Sequence, residues 1–306
     1  MWGSVRASAI PELANSFSHV HQLPQLETIN LTFAEYELGA DNVVSGPLAF
    51  QSSILGALAS SFSFRAPLKL LSLSLHNLCT YDLTPLVSPP FQTVLKTLRR
   101  LRLSVVYDGG PDPYTGFDRW LHFWGTLCSG MILAPMQHSL RELTLHSNNL
   151  AFGLSPAGLY FPCLSAISFQ KLAFEPSVGL EFFILDHAVT LTRLELIGCK
   201  LPIYDDKSVP LSTTIARDGE SNPRPTYWEH IWDSFAAELT VLVALHVDER
   251  GGVGSECRYV CPKITNSYSD VRVPAHVDAA DATALQRLYM TVAARAEESY
   301  NPSRGT

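Results

Sequence analysis

The chain has 306 residues, of which 46% are hydrophobic and 17% charged, enough apolar sequence for a continuous core and too much for disorder throughout. Its formal net charge of -7 argues against a nucleic-acid partner, because phosphate binding needs clustered Lys and Arg that outweigh local acids. One basic cluster, Arg99, Arg100 and Arg102, is too small to reverse that expectation.

The N-terminal stretch MWGSVRASAIPELANSF has no apolar core of the roughly 7 to 15 residues a signal peptide needs, and no run approaches the roughly 18 of a membrane span. The six cysteines (Cys79, Cys128, Cys163, Cys199, Cys257, Cys261) lack the dense flanking clusters of secreted repeat proteins. They are expected to be reduced thiols in an intracellular protein, cytoplasmic or nuclear, with no membrane partner.

In chain order, the spacing L-x-x-L-x-L-x-x-N/C-x-L organises the sequence. Leu26, Ile29 and Leu31 begin a first weak copy. Asn30-Leu31-Thr32 also matches a glycosylation acceptor, whose use is not expected inside a strand. Phe50, Ile54, Leu55 and Leu58 then suggest a helix, followed by a copy at Leu68, Leu71, Leu73, His76 and Leu78 and a weaker one at Leu98, Leu101 and Leu103. Phe117, Trp120, Leu121 and Trp124 fall at helical spacing and present one apolar stripe, expected to be a face packed on a sheet rather than a ligand box. Leu140, Leu143, Leu145, Asn148 and Leu150 fit the pattern at every position, and Leu164, Ile167, Phe169, Leu172 and Phe174 fit with substitutions. A short helix at Leu180, Phe183 and Ile184 leads to the second complete copy, Leu191, Leu194, Leu196, Cys199 and Leu201. The segment Ile203 to Thr226 is rich in Pro, Ser and charge and reads as a loop insertion. Trp228, Ile231, Trp232 and Phe235 form another helical stripe before the last copy, Leu242, Leu245 and Val247.

Each copy predicts a short strand whose fourth and sixth positions enter the core while the third, fifth and seventh face outward. The ninth position should be buried where the strand bends, an Asn there satisfying backbone groups of neighbouring coils. Asn148 and Cys199 are the candidates. Leu143, Leu145, Leu194 and Leu196 are expected in the core, and Leu70, one residue before Leu71, outside it. First positions are separated by 42, 30, 42, 24, 27 and 51 residues, so the repeats are irregular. The expected fold is α/β, an irregular leucine-rich-repeat solenoid over residues 1–249, with a curved parallel sheet and helices on its convex side. Residues 250–306 should cap it. DERGGVGSECRYVCPK reads as a turn and short hairpin, and Asp281 should open a final helix with Leu285, Leu288, Tyr289 and Val292 on one face.

Three segments resemble the repeat region of fungal F-box-like proteins. They are Phe182 to Leu201, a helix leading into a strand as FL..H..TL..L.L..C.L; Trp228 to Val247; and the terminal run Ala284-Leu-x-x-Leu-x-x-x-Val-x-x-Arg295. The resemblance covers roughly residues 20 to 298. It implies an interaction scaffold, with substrate-receptor duty in a cullin-RING ubiquitin ligase as its sharpest form. An F-box of about 45 residues would dock such a protein on the ligase adaptor, but only Ile10-Pro11-Glu12-Leu13 resembles its opening, and the first strand pattern starts by Leu26. Binding to that adaptor is therefore expected only if an F-box precedes this sequence.

No Gly-x-Ser-x-Gly elbow or recognisable Cys/His setting is present, and Cys257-x-x-x-Cys261 lacks a second ligand pair for zinc. Gly251-Gly252-Val253-Gly254 and Gly109-Gly110-Pro111 read as turns, not phosphate loops. No metal, cofactor or catalytic residue is expected. The expected function is to hold a protein partner on a concave face. In its middle that face reads Arg100, Arg102, Ser104, then Glu142, Thr144, His146, then Ala166, Ser168, Gln170, then Arg193, Glu195, Ile197, with Arg102 beside Glu142. The alternatives are an enzyme whose site is dispersed in sequence and a degenerate repeat protein with no retained partner.

Overall fold

The computed structural model describes residues 9–33, 45–64, 69–80, 82–107, 113–156, 158–176, 179–203, 227–248, 258–263 and 267–300. In chain order these form α1 (Ala9–Ser18), β1 (Thr28–Thr32), α2 (Ser45–Phe62), β2 (Ser72–Cys79), α3 (Pro89–Leu95), β3 (Arg100–Val106), α4 (Pro113–His122) and β4 (Glu142–Ala151). There follow β5 (Ala166–Leu172), α5 (Leu180–Leu185), β6 (Arg193–Ile197), β7 (Leu201–Pro202), α6 (Trp228–Glu238), β8 (Ala244–Asp248), β9 (Tyr259–Lys263), β10 (Ser267–Val271) and α7 (Ala275–Tyr300). The main sheet has seven strands in the order β1-β2-β3-β4-β5-β6-β8, and a second sheet has the order β10-β9-β7. The seven segments with the leucine spacing are the seven strands of the main sheet. The chain divides into two compact units, residues 1–149 and 150–306.

In the first unit, parallel pairing sets Leu73 beside Leu101 and Leu101 beside Leu143, then Leu75 beside Leu103 and Leu103 beside Leu145. All six are at most 1% exposed, as are the first-position residues Leu70, Leu98 and Leu140. This corrects the frame of β2. Its first, fourth and sixth positions are Leu70, Leu73 and Leu75, two residues later than expected. Leu70 is core and Leu71 only half-buried, the reverse of the expectation. The run Leu68-Lys-Leu-Leu-Ser-Leu-Ser-Leu-His satisfies L-x-x-L-x-L in either frame, and the ladder to β3 selects between them.

Asn148 also departs from expectation. The strand does not bend there; β4 continues to Ala151, and Asn148 is exposed, although its Oδ1 accepts the Tyr107 N–H at 2.7 Å. The analogous buttress comes from Asn77, at the eighth position of β2, whose Nδ2 donates to the Phe33 carbonyl at 3.1 Å. Asn77 has φ +57°, and the β2–β3 register shifts between Leu75 and Leu78, so this residue sits in a β-bulge. In the second unit the eighth positions of β5 and β6 are Lys171 (φ +54°) and Gly198 (φ +56°). Left-handed backbone thus recurs at one place in three strands. Asn and Gly adopt it readily; Lys171 does so against its intrinsic preference.

Helices add to the core. Ile54, Leu55 and Leu58 of α2 are buried, and α4 runs into a π-helix (Phe123–Leu133). Phe117, Trp120, Phe123 and Trp124 are buried, and Leu121 is half-buried. Trp120 and Trp124 meet edge to face at 5.7 Å.

In the second unit Ile167 lies beside Leu194 and Phe169 beside Leu196, all at most 1% exposed, and Leu194 and Leu196 lie beside Leu245 and Val247. The Cys199 thiol, half-buried after β6, donates weakly to the Phe169 carbonyl, and burial pushes it up to about 12, so it stays protonated. Phe183 and Ile184 of α5 and Trp228, Ile231, Trp232 and Phe235 of α6 are buried, with Trp228 and Trp232 stacked at 4.6 Å. The antiparallel hairpin is β9–β10, spanning 259–271 and so lying further along than Asp248 to Lys263. The 204–226 part of the insertion, the 249–257 turn including Cys257 and Gly251 to Gly254, Gly109 to Pro111, and Leu68 all lie outside the described residues.

The last helix starts at Ala275, so Asp281 does not open it. Asp281 is fully buried and works on another helix: its Oδ1 accepts the Glu229 N–H at 2.8 Å, its Oδ2 accepts the Tyr259 hydroxyl at 2.5 Å, and that hydroxyl accepts the Trp228 N–H at 3.0 Å. The two side chains thereby satisfy first-turn donors of α6, where a carboxylate also meets the positive end of the helix dipole. Burial pushes the Asp281 carboxyl above its ordinary range, against these hydrogen bonds, which pull it down. At the other end of α6, the Arg295 guanidinium donates to the Leu239 and Ala236 carbonyls at 2.8 and 2.7 Å. Between these anchors Arg287 pairs with Asp233 at 2.9 Å. The Tyr289 hydroxyl accepts the Val247 N–H at 2.9 Å, on the side of β8 away from β6. Thus α7 holds both ends of α6 and covers the outer edge of β8.

Leu70→Ala is expected to cost roughly 2 to 5 kcal/mol, as truncation in a packed core does, and Leu71→Ala under about 1.5 kcal/mol. Equilibrium denaturant unfolding of both variants measures this; equal costs would contradict the frame.

Candidate protein-interaction face

The outward side chains follow from strand alternation. In the first unit β3 presents Arg100, Arg102 and Ser104, and β4 presents Glu142, Thr144 and His146; the register sets them in direct pairs, Arg100 with Glu142, Arg102 with Thr144 and Ser104 with His146. Arg102 therefore stands beside Thr144, and Glu142 lies across from Arg100. Both arginines are exposed, while Glu142, Thr144 and His146 are half-buried. With its frame corrected, β2 adds Ser74 and His76 and the buried Ser72, of which Ser72 and Ser74 pair with Arg100 and Arg102; β1 adds Thr28, Asn30 and Thr32. The residues expected in the middle of the face begin at β3 and so do not include these six. Both frames of β2 match L-x-x-L-x-L, so the spacing alone does not separate them.

The electrostatics of this face centre on Arg102. Its guanidinium and, to a larger extent, burial hold His76 below the ordinary imidazole value of 6.5, so His76 is neutral at pH 7. Hydroxyl groups flank Arg102 on both sides, from Ser74 and Thr144. The arrangement is a cationic centre among hydrogen-bonding groups on a rigid ladder.

In the second unit the corresponding residues are Ala166, Ser168 and Gln170 of β5 with Arg193, Glu195 and Ile197 of β6, paired in that order. Ser168 donates to Glu195 at 2.5 Å, which fixes both side chains. Arg193 is exposed; Ser168, Gln170, Glu195 and Ile197 are half-buried; Ala166 is 7% exposed and offers nothing outward. Arg100, Arg102, Glu142, Thr144 and His146 in the first unit and Ser168, Gln170, Arg193 and Glu195 in the second thus all lie on outward strand positions.

A pocket of about 90 Å³ in the second unit is lined by Phe174, Glu175, Phe182, Leu201 and Ile231 among others, against the roughly 300 Å³ or more of a typical small-molecule site. At its margin burial raises the Glu181 carboxyl, with Glu238 adding to the effect and Ser234 and His230 opposing it. His187 is fully buried, its Nε2 accepting the Phe161 N–H at 2.9 Å and its Nδ1 meeting the Phe183 carbonyl at 2.6 Å, so both ring nitrogens are engaged structurally. Among the described residues no group of three or more His, Cys, Asp or Glu is placed to hold a metal ion, and no helix is long and apolar enough to cross a membrane.

The His76 shift gives a test of the face. Because its folded-state pKa is lowered, the unfolded chain binds that proton more readily, so His76 supports folding above about 6.5 and loses this contribution as pH falls through its folded value. Arg102→Ala should raise the His76 pKa only part of the way to 6.5, since burial is the larger cause. Titration of the imidazole by NMR reads this directly, and no change in the variant would separate Arg102 from His76. Comparison of the chain with protein-family models, with curated proteins and with solved structures gave no match.

Proposed function

We propose that the chain is a leucine-rich-repeat solenoid that holds a protein partner on the outward face of its parallel sheet, rather than an enzyme. The observation that carries this reading is the ladder of Arg100, Arg102, Glu142, Thr144 and His146, a charged and hydroxyl-bearing surface held in register by a leucine core directly behind it. Ser168, Gln170, Arg193 and Glu195 extend the same chemistry on β5 and β6. Residues on paired strands are pre-ordered, so a partner meets them with little further loss of entropy. The resemblance to F-box-like repeat proteins makes substrate reception in a ubiquitin ligase the most specific form of the proposal. Ile10-Pro11-Glu12-Leu13 lies within the single helix α1 that leads toward β1, so adaptor binding would need a docking segment beyond these residues.

The test is affinity capture from the native cell with quantitative mass spectrometry, comparing the wild type with Arg102→Glu and Arg100→Gln combined. Reversal at Arg102 faces neutral Ser74 and Thr144, whereas Glu at position 100 would oppose Glu142. Stability should stay within about 0.5 kcal/mol, while a recurrent partner weakens about tenfold or more, mainly through association rate and salt dependence. Lys96→Glu with Arg272→Glu, both at exposed sites, is the control; Arg295 is unsuitable because it caps α6. Equal loss in both variants, or in neither, would remove this face from the account.

A further inference from the structure

The two end strands of the main sheet are treated differently. In β8, the residues whose backbone faces β6 are Ala244, His246 and Asp248, as the bonds from Ala244 N–H to the Thr192 carbonyl and from Gly198 N–H to the Asp248 carbonyl show. Val247 faces the other way and is taken up by Tyr289. In β1, the Glu27 carbonyl and the Phe33 N–H bond toward β2, so Ile29 and Leu31 do the same and Thr28, Asn30 and Thr32 aim their N–H and C=O groups away from it. Among the described residues nothing pairs with that outer edge. The strand carries no Lys, no Pro and no other charge in TINLT, and its register with β2 is unbroken by a bulge. Leu31, unlike its equivalents Leu75 and Leu103, is only half-buried.

We propose that the β1 edge is a dimerisation surface, on which the β1 strand of a second copy pairs antiparallel about a two-fold axis through Asn30. The strand is self-complementary in this register. Asn30 meets Asn30 of the second copy and Thr28 meets Thr32, pairs that bring no like charges together in a chain of net charge -7 and that include the favoured Thr–Thr contact. All three outward residues then fall at hydrogen-bonded pair positions, giving about six backbone hydrogen bonds across the axis. A C2 contact of this kind closes on itself and consumes the edge, leaving nothing to propagate. This surface is the edge backbone of β1, whose side chains adjoin the binding face; dimer mass reads the edge and partner capture with the Arg100 and Arg102 variants reads the face, so either can fail without the other.

The full chain is measured by sedimentation equilibrium across a concentration series, alongside Asn30→Pro and Asn30→Lys. Proline removes an N–H that points away from β2, so the internal ladder is kept; lysine leaves the backbone intact and sets two like charges at the axis. The expected result is a dimer mass for the wild type and a monomer mass for both variants, with circular dichroism unchanged. Geometry is checked in a Cys163→Ser background by oxidising Asn30→Cys and Thr28→Cys separately. Residue 30 would lie about 5.5 Å from its copy, within disulfide range, and residue 28 about 14 Å from its own. A monomeric wild type would overturn the proposal and leave the edge to some other extended segment. So would a dimer that survives Asn30→Lys, or cross-linking of Thr28→Cys as fast as that of Asn30→Cys.

Discussion

Everything described here depends on the in-phase stacking of leucines behind a parallel backbone ladder. A parallel pair fixes the height of one strand against the next, and the L-x-x-L-x-L spacing then decides which side chains enter the core. Leu73, Leu101 and Leu143 form one such row and Leu75, Leu103 and Leu145 another. Full burial of a leucine is worth roughly 1.5 to 3 kcal/mol, so a slip in register would sacrifice several such gains at once. The polar face has no comparable force of its own. It is ordered because the leucines behind it are.

The same constraint explains what could and could not be read from the sequence. Both complete copies of the pattern, beginning at Leu140 and Leu191, and five degenerate ones mark strands, because alternation and burial act within a few residues of each other. The frame of β2 was not legible. A shift of two residues preserves alternation, and only pairing with Arg100 to Leu103 distinguishes Leu70 from Leu71 as the residue that turns inward. Asn148 failed for a related reason: left-handed backbone at the eighth position recurs at Asn77, Lys171 and Gly198, while β4 has no such residue and runs on as a strand to Ala151. Lys171 gives no sequence signal for that conformation. The outward positions of β3 to β6 were legible as such, but the direct pairing of Arg100 with Glu142 required the ladder.

Asp281 illustrates a different limit. An Asp before an apolar helical run reads as the cap of its own helix, yet here it serves α6, some fifty residues earlier, together with Tyr259. Arg295 does the complementary service at the far end of α6. Local pattern reports residue type, while the helix that benefits is set by tertiary packing. The outcome is that α7 ends the second unit with its edge strand covered, whereas β1 in the first unit keeps backbone groups directed outward, and that contrast is what motivates a self-pairing edge.

Because the proposed binding face and the proposed dimer edge both inherit their geometry from the ladder frame, the most direct measurement is of that frame. Two double-cysteine variants, Ser74→Cys with Arg102→Cys and Ser72→Cys with Arg102→Cys, are oxidised under native conditions and mapped as linked peptides. In the observed frame Ser74 and Arg102 are direct neighbours on adjacent strands, about 4.8 Å apart and within disulfide reach, while residues offset by two lie about 8 Å apart and outside it. The account predicts rapid linkage of the first pair and little of the second. Preferential linkage of Ser72→Cys with Arg102→Cys would place the leucines of β2 two residues out of phase and contradict it.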